Sequence, residues 1–269
     1  MIRPPAVAGR FYPSEPDKLT QQIEQFVSGA AAGEKVRALG CIVPHAGYIY
    51  SGHVAGAVYT AIEIPRKCIL LGPRHFPRGE PMAILTKGRF LTPLGDAMID
   101  TELAAALAHE FPRLREDIAA HEREHSLEVQ IPFLQFLAKA FQFVPVVLAT
   151  DRYGAIEELG RAVAKVVAAA REPVLTIAST DMNHYENDEV TRAKDGRAIE
   201  RILVLDPRGL YDTVRNEGIS MCGYAATTAM LVAMRELGAS ETRLVRYATS
   251  GDVSGDRQQV VGYAGVVIR

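Results

Sequence analysis

The strongest constraint on the fold is a repeated pattern: short apolar runs, each closed by a polar cluster rich in glycine, proline or histidine. Leu39–Val43 ends in Pro44-His45-Ala46-Gly47-Tyr48. Cys68–Leu71 ends in Gly72-Pro73-Arg74-His75, and Val174–Ala178 ends in Ser179-Thr180-Asp181-Met182-Asn183-His184. Runs of four or five residues rich in Val, Ile and Leu read as strands buried on both faces. Between them lie helical patterns at Ser14–Val27, Gly52–Ile62, Thr101–Glu110, Leu127–Phe141, Tyr153–Ala170, Glu189–Leu205, Pro207–Arg215 and Cys222–Leu237. Further strands are expected at Pro81–Thr86, Gly95–Ile99, Phe143–Leu148, Leu244–Thr249 and Val260–Ile268. This alternation predicts an α/β fold, with a central, mostly parallel or mixed sheet flanked by helices. Leu39–Val43, the helix after it and Cys68–Leu71 read as a right-handed βαβ unit with a parallel strand pair. Ser14 is the expected cap of the first helix, and Pro132 must sit in a first turn or kink its helix. The only candidate linker is Ser28–Glu34, so 1–269 is read as one domain.

Composition excludes several classes. The 269 residues carry 30 basic and 32 acidic side chains, net −2, with no block of like charge. Neither a nucleic-acid surface nor a membrane surface is expected. No run of 18 apolar residues predicts a membrane span, and Met1-Ile2-Arg3-Pro4-Pro5 lacks the apolar core of a signal peptide or a myristoylation glycine. Three cysteines, none in a CxxC pair, make no disulfide framework, so a cytoplasmic location is expected. Cys41 and Cys68 lie inside apolar runs and read as inert core residues.

Strands that end in histidine clusters can deliver them to one carboxyl-end rim, where open α/β sheets bind ligands. His45, His75, His184 and Cys222 are therefore candidates for one metal or catalytic site, since imidazole is both the commonest metal ligand and the usual acid–base group near neutrality. Asp181 and His184, three apart, would share a face in a helical turn, with Asp181 orienting His184. Alternatively Ser179 or Thr180 caps a helix there. Cys222-Gly223 at a helix start predicts a lowered thiol pKa and the most reactive cysteine of the chain. Arg74 reads as a solvated or anion-pairing charge. Tyr48, Tyr50 and Tyr185 either line a pocket for an aromatic or peptide ligand or pack in the core, and Ser250-Gly251-Asp252 is a polar wall or a plain turn.

His121-Glu122-Arg123-Glu124-His125 matches H-E-x-x-H. On a helix that pattern makes a zinc hydrolase. Pro132 follows closely and no third ligand appears, so the letters are not expected to be a metal site. His125 and Glu128 share a face and could supply an acid–base pair.

Ala8-Gly9-Arg10-Phe11-Tyr12-Pro13, Pro44–Gly52, Leu71–His75, Glu124-His125-Ser126-Leu127-Glu128, Ser179–His184 and Cys222-Gly223 together resemble the Memo-like family, called protein B of the AmmeMemoRadiSam system, over essentially the whole chain. The resemblance implies a fold similar to class III extradiol dioxygenases, which are non-haem iron enzymes. It implies a metal held by His45, His75 and Cys222, with Asp181, His184 and His125 as catalytic candidates beside it. The cysteine stands where those dioxygenases carry a carboxylate, so ring cleavage does not transfer with the fold. Iron is expected ahead of copper or zinc, with the three ligating atoms roughly 3–4 Å apart. The implied activity is a metal-dependent redox enzyme acting on a small molecule or peptide. The alternative is a non-catalytic adaptor using the same cleft. A radical SAM protein and an AMMECR-type protein are implied partners. Phe76 departs from relatives with His or Thr after the second histidine.

Overall fold

The computed structural model describes residues 1–30, 34–138 and 140–269. The expected linker Ser28–Glu34 falls in part on 31–33, outside the described residues.

The core of the sheet is four adjacent parallel strands in the order Gln142–Leu148, Lys67–Pro73, Val174–Ser179, Gly40–Val43. Val260–Ile268 then pairs antiparallel with Gly40–Val43, and Thr242–Thr249 antiparallel with Val260–Ile268. Met82–Ile84 runs antiparallel along Gln142–Leu148. The sheet is thus mixed and mostly parallel, as the sequence predicts. One detail differs: Gly40–Val43 and Lys67–Pro73 are not direct neighbours, because Val174–Ser179 lies between them. A crossover can skip a strand position, and residue patterning within the unit does not report it.

Helices cover both faces. A Cβ on Gly40 would meet Met230 and Met234 of the Tyr224–Glu236 helix, whereas one on Gly265 would meet Val54 and Val58 of the Tyr48–Ala61 helix. Gly265 adjoins Val266, which pairs with Ile42, so the two glycines face opposite sides. Double coverage explains why Gly40–Val43 and Val174–Ser179 are buried at every position.

Several boundaries shift for local reasons. The first helix runs Pro16–Ser28 with Glu15 at its cap and no side-chain cap bond, because Pro16 starts the helix two residues past Ser14. The second begins at Tyr48, not Gly52. The expected Leu127–Phe141 helix, which includes undescribed residue 139, shortens to a 3₁₀ turn at Glu128–Gln130 and a helix at Ile131–Leu137. Pro132 occupies the first turn of that helix, where it costs no hydrogen bond. Among the described residues, no helix is long and apolar enough to cross a membrane.

One buried acid gives the fold a pH dependence. Asp195 of the Asp188–Leu203 helix is fully buried against Gly262. It accepts the Asn183 N–H at 2.8 Å and the Tyr247 hydroxyl at 2.7 Å. Burial outweighs these bonds and pushes its pKa from 3.8 up to about 7. The folded state therefore binds the proton more tightly than the unfolded state. The resulting cost, up to about 4 kcal/mol, is absent below the unfolded pKa and complete above the folded one. Asp195→Asn keeps an acceptor for Asn183 and a donor for Tyr247. It is expected to be more stable than the parent in urea titrations at pH 8, with the gap closing towards pH 4. A pH-independent gap would refute the assignment.

Candidate metal centre

The strand order carries the site. Gly40–Val43, Lys67–Pro73 and Val174–Ser179 are parallel and contiguous, so His45, His75 and the Thr180–His184 loop emerge at one rim. The His45 and His75 ring centroids are 5.1 Å apart.

A third histidine joins them. His125 stacks on His75 at 4.5 Å and lies 5.6 Å from His45. One ring nitrogen from each of His45, His75 and His125 falls within 4.8 Å of the others. His45 is buried, His125 half-buried and His75 open to the cleft. Cys222 Sγ lies 3.2 Å from His45 Nε2. Three imidazole nitrogens therefore converge on one point, and Cys222 adjoins the group through His45 without being within the same distance of all three.

Hydrogen bonds fix which ring nitrogens are free. The Ser179 hydroxyl donates its one proton to the Ser126 carbonyl at 2.6 Å. It then accepts from Gln130 Nε2, at 2.9 Å, and from His45 Nδ1, also at 2.9 Å. Gln130 is itself oriented by donating to the Pro44 carbonyl. His45 must therefore carry its proton on Nδ1, leaving the Nε2 lone pair towards Cys222. His75 donates Nδ1–H to Glu124 Oε1 at 2.9 Å, while Glu124 also accepts the backbone N–H groups of His75 and Ser126. A carboxylate or hydroxyl behind each imidazole is the arrangement that orients metal-ligating histidines.

The protonation states agree. Burial alone would raise Glu124, but the His75 hydrogen bond and the histidine charges hold it at about 2. Burial would lower His75, yet Glu124 raises it above its usual value. His45 is driven well below 6.5 by burial and then by His75. His125 is lowered to about 4 by burial and then by His45. Two of the three rings are held neutral near pH 7, the form that binds metal.

The N-terminal segment braces the loop bearing Glu124 and His125. Glu128 accepts from Ala6 N–H, Val7 N–H, the Tyr12 hydroxyl and Arg3 Nη1, at 2.6–3.0 Å. Arg3, 1% exposed, also donates to the carbonyls of His121 and Glu124. Phe11 packs edge-on against His125 at 4.8 Å. The Gly-Arg-Phe-Tyr-Pro stretch thus has a physical role as a strap over this loop.

Other sequence expectations require correction. Residues 180–183 form a loop and His184 begins the His184–Glu186 strand, so Asp181 and His184 share no helical turn and neither Ser179 nor Thr180 caps a helix. Asp181 Oδ1 instead accepts the N–H groups of His45 and Ala46, at 2.7 and 3.3 Å. His184 is oriented by Ser220, donating its N–H to Oγ and its Nδ1–H to the carbonyl. The Ser179-Thr180 segment closes against Gly223, where any Cβ would sit 2.5 Å from the Ser179 carbonyl. That approach is what brings Cys222 to His45.

Cys222 lies two residues before the Tyr224–Glu236 helix, and its thiol pKa is raised, not lowered. Burial is the main cause and Asp181 adds to it, outweighing the helix end. The H-E-x-x-H stretch is irregular rather than helical. His121 turns to the Asp117 carbonyl, and only His125 reaches the cluster. Tyr48 is a core residue, its hydroxyl on the Val129 carbonyl, while Tyr50 and Tyr185 are exposed. Tyr185 has a left-handed φ of 62°, at a bulge next to His184. Ser250-Gly251-Asp252 opens a short helix, with Asp252 paired to Arg192. Sequence reasoning missed Arg3, Glu124, Gln130 and Ser179 as supports. The Glu124–Glu128 motif was the one signal that pointed to this loop.

The model of the family described as "Memo-like protein" matches residues 3–267. A MEMO1 family protein of Methanopyrus kandleri is 42% identical over 281 residues, covering 100% of this chain and 99% of its own. Similar proteins described as MEMO1 family come from Pyrobaculum arsenaticum, 41% identical with 99% and 98% covered, and Methanothermobacter thermautotrophicus, 40% identical with 98% and 99% covered. With identity sustained end to end and every histidine of the rim inside the matched span, the chain belongs to the Memo-like family.

Proposed function

We propose that this chain is a metal-dependent redox enzyme, with iron favoured over copper or zinc, acting on a small molecule or peptide in the cleft beside His75. The observation that carries the reading is the fixed tautomer of His45 and His75: each ring spends its Nδ1–H on a protein acceptor. His45 and His75 would hold the ion, with His125 as the third imidazole of the cluster and Cys222, beside His45, as a thiolate donor. A bound redox metal would supply one-electron chemistry and activation of a small oxidant. The protein's own part is to present neutral imidazoles, to surrender the Cys222 thiol proton, and to keep Asp181 and His184 at the rim. The thiol and imidazole donors suit Fe(II), copper and zinc alike. The family resemblance favours iron and also supports a radical SAM protein and an AMMECR-type protein as partners.

Anaerobic loading with Fe(II), followed by elemental analysis after desalting, is expected to give one ion per chain. His45→Ala and His75→Ala should each abolish it. Co(II) loading distinguishes the donors: a sulfur-to-cobalt charge-transfer band present in the parent and lost in Cys222→Ser places the thiolate on the metal. Retention of full iron content by His75→Ala would sink the proposal.

A further inference from the structure

We infer that Arg74 is a specificity-determining residue that binds an oxyanion of the ligand, a carboxylate or phosphate group, in the cleft shared with the metal centre; the inference builds on the proposed metal site. The cleft, about 260 Å³, is lined by Arg74, His75, Thr150, Cys222 and Tyr224 among others. Arg74 directly precedes a candidate ligand, and its backbone is fixed by donation to the Leu148 carbonyl at 2.8 Å.

Its guanidinium is pinned but incompletely satisfied. Nη1 donates to the carbonyls of Arg78 and Gly79. Nε is buried with no partner, and among the described residues no carboxylate lies within ion-pair distance of Arg74. The acid in the same cleft, Asp151, is already paired with Arg215. A partly desolvated cation without a counter-ion is costly, and a ligand anion would relieve that cost. Because Nη1 is committed to the loop and Nε is enclosed, Nη2 is the nitrogen left to meet a ligand oxygen in a charge-assisted hydrogen bond. The first turn of the Tyr224–Glu236 helix, also at this cleft, contains no acidic residue to oppose an anion.

The geometry therefore places two poles in one small cleft: soft metal donors at His75 and Cys222, and a fixed cation next to them. A ligand that uses both has a metal-binding or reacting group at one end and an oxyanion at the other.

The test is calorimetric titration of malonate, inorganic phosphate and neutral malonamide into metal-free and zinc-loaded protein. The parent is expected to bind malonate or phosphate, and not malonamide. Arg74→Met, which keeps the apolar stem, should weaken that binding roughly 10- to 100-fold, the range of a charge-assisted pair. Arg74→Lys, which keeps the charge but loses the guanidinium anchored by the Arg78 and Gly79 carbonyls, should fall between. Preference for malonate identifies a carboxylate ligand, and preference for phosphate a phosphoryl one. Equal anion affinity in the parent and both variants, with unchanged melting temperatures, overturns the inference. Failure of the parent to take up zinc counts against the metal centre instead, and Arg74-dependent anion binding in the metal-free protein still reads this proposal separately.

Discussion

Glu128→Ala is expected to lower the unfolding free energy by about 3–5 kcal/mol, the range seen when one partner of a buried ion pair is removed. Glu128 is fully buried and gathers four donors, so its loss strands all of them. Arg3 is the worst affected. It keeps its carbonyl bonds to His121 and Glu124 and its place 4.5 Å over the Phe90 ring, but becomes a buried cation without an anion. Adding Arg3→Met to Glu128→Ala should recover only part of the loss, because the N–H groups of Ala6 and Val7 and the Tyr12 hydroxyl remain unpaired. Urea midpoints of the single and double variants measure this. A loss below about 1 kcal/mol for Glu128→Ala would mean that water replaces the carboxylate and that the strap is not structural.

Glu124→Gln is expected to weaken metal binding about 10- to 100-fold, as loss of the group orienting a ligand histidine commonly does. The carboxylate accepts three N–H groups, two of them from His75. An amide has one acceptor oxygen, and its NH₂ would face one of those donors. His75 would then lose its fixed tautomer and its orientation while remaining present. Glu122→Gln, two residues away and exposed, is the control and should bind as the parent does. Chelator competition with zinc separates the two. Equal affinity for Glu124→Gln and the parent would remove Glu124 from the centre.

Much of this was legible in the chain. Apolar runs ending in His45, His75 and His184 encode both the strands and the rim, because the direction of a parallel strand fixes which end its closing loop occupies. The supports were not legible. Glu124 and Glu128 lie in an acidic stretch whose letters match a helical zinc motif. Only the strap carrying Arg3 and Tyr12, more than a hundred positions away, reveals that the stretch is a braced loop. Cys222 shows a different limit. Its place near a helix start predicts a lowered thiol pKa, but burial decides the sign, and burial depends on Gly223 closing against Ser179. The Asp181–His184 spacing fails for a similar reason: the same interval fits a helical turn or a bulged strand, and the antiparallel pairing of His184 with Val261 selects the strand.

The strand order also governs when the centre can come into being. His75 meets Glu124 across 49 residues, His45 meets Ser179 across 134, and Cys222 meets His45 across 177. Gly40–Val43 is enclosed only after Val174–Ser179 and Val260–Ile268 have been added on its two sides. Contacts of such sequence separation form late and slowly, because the loops between them must close first. A ribosome-bound chain that has released His45 and His75 but not Ser179 still lacks the hydroxyl that fixes the His45 tautomer. Under the proposed function, metal capture would be deferred until synthesis has passed the last strand, and loading would belong to the finished protein rather than to the growing one.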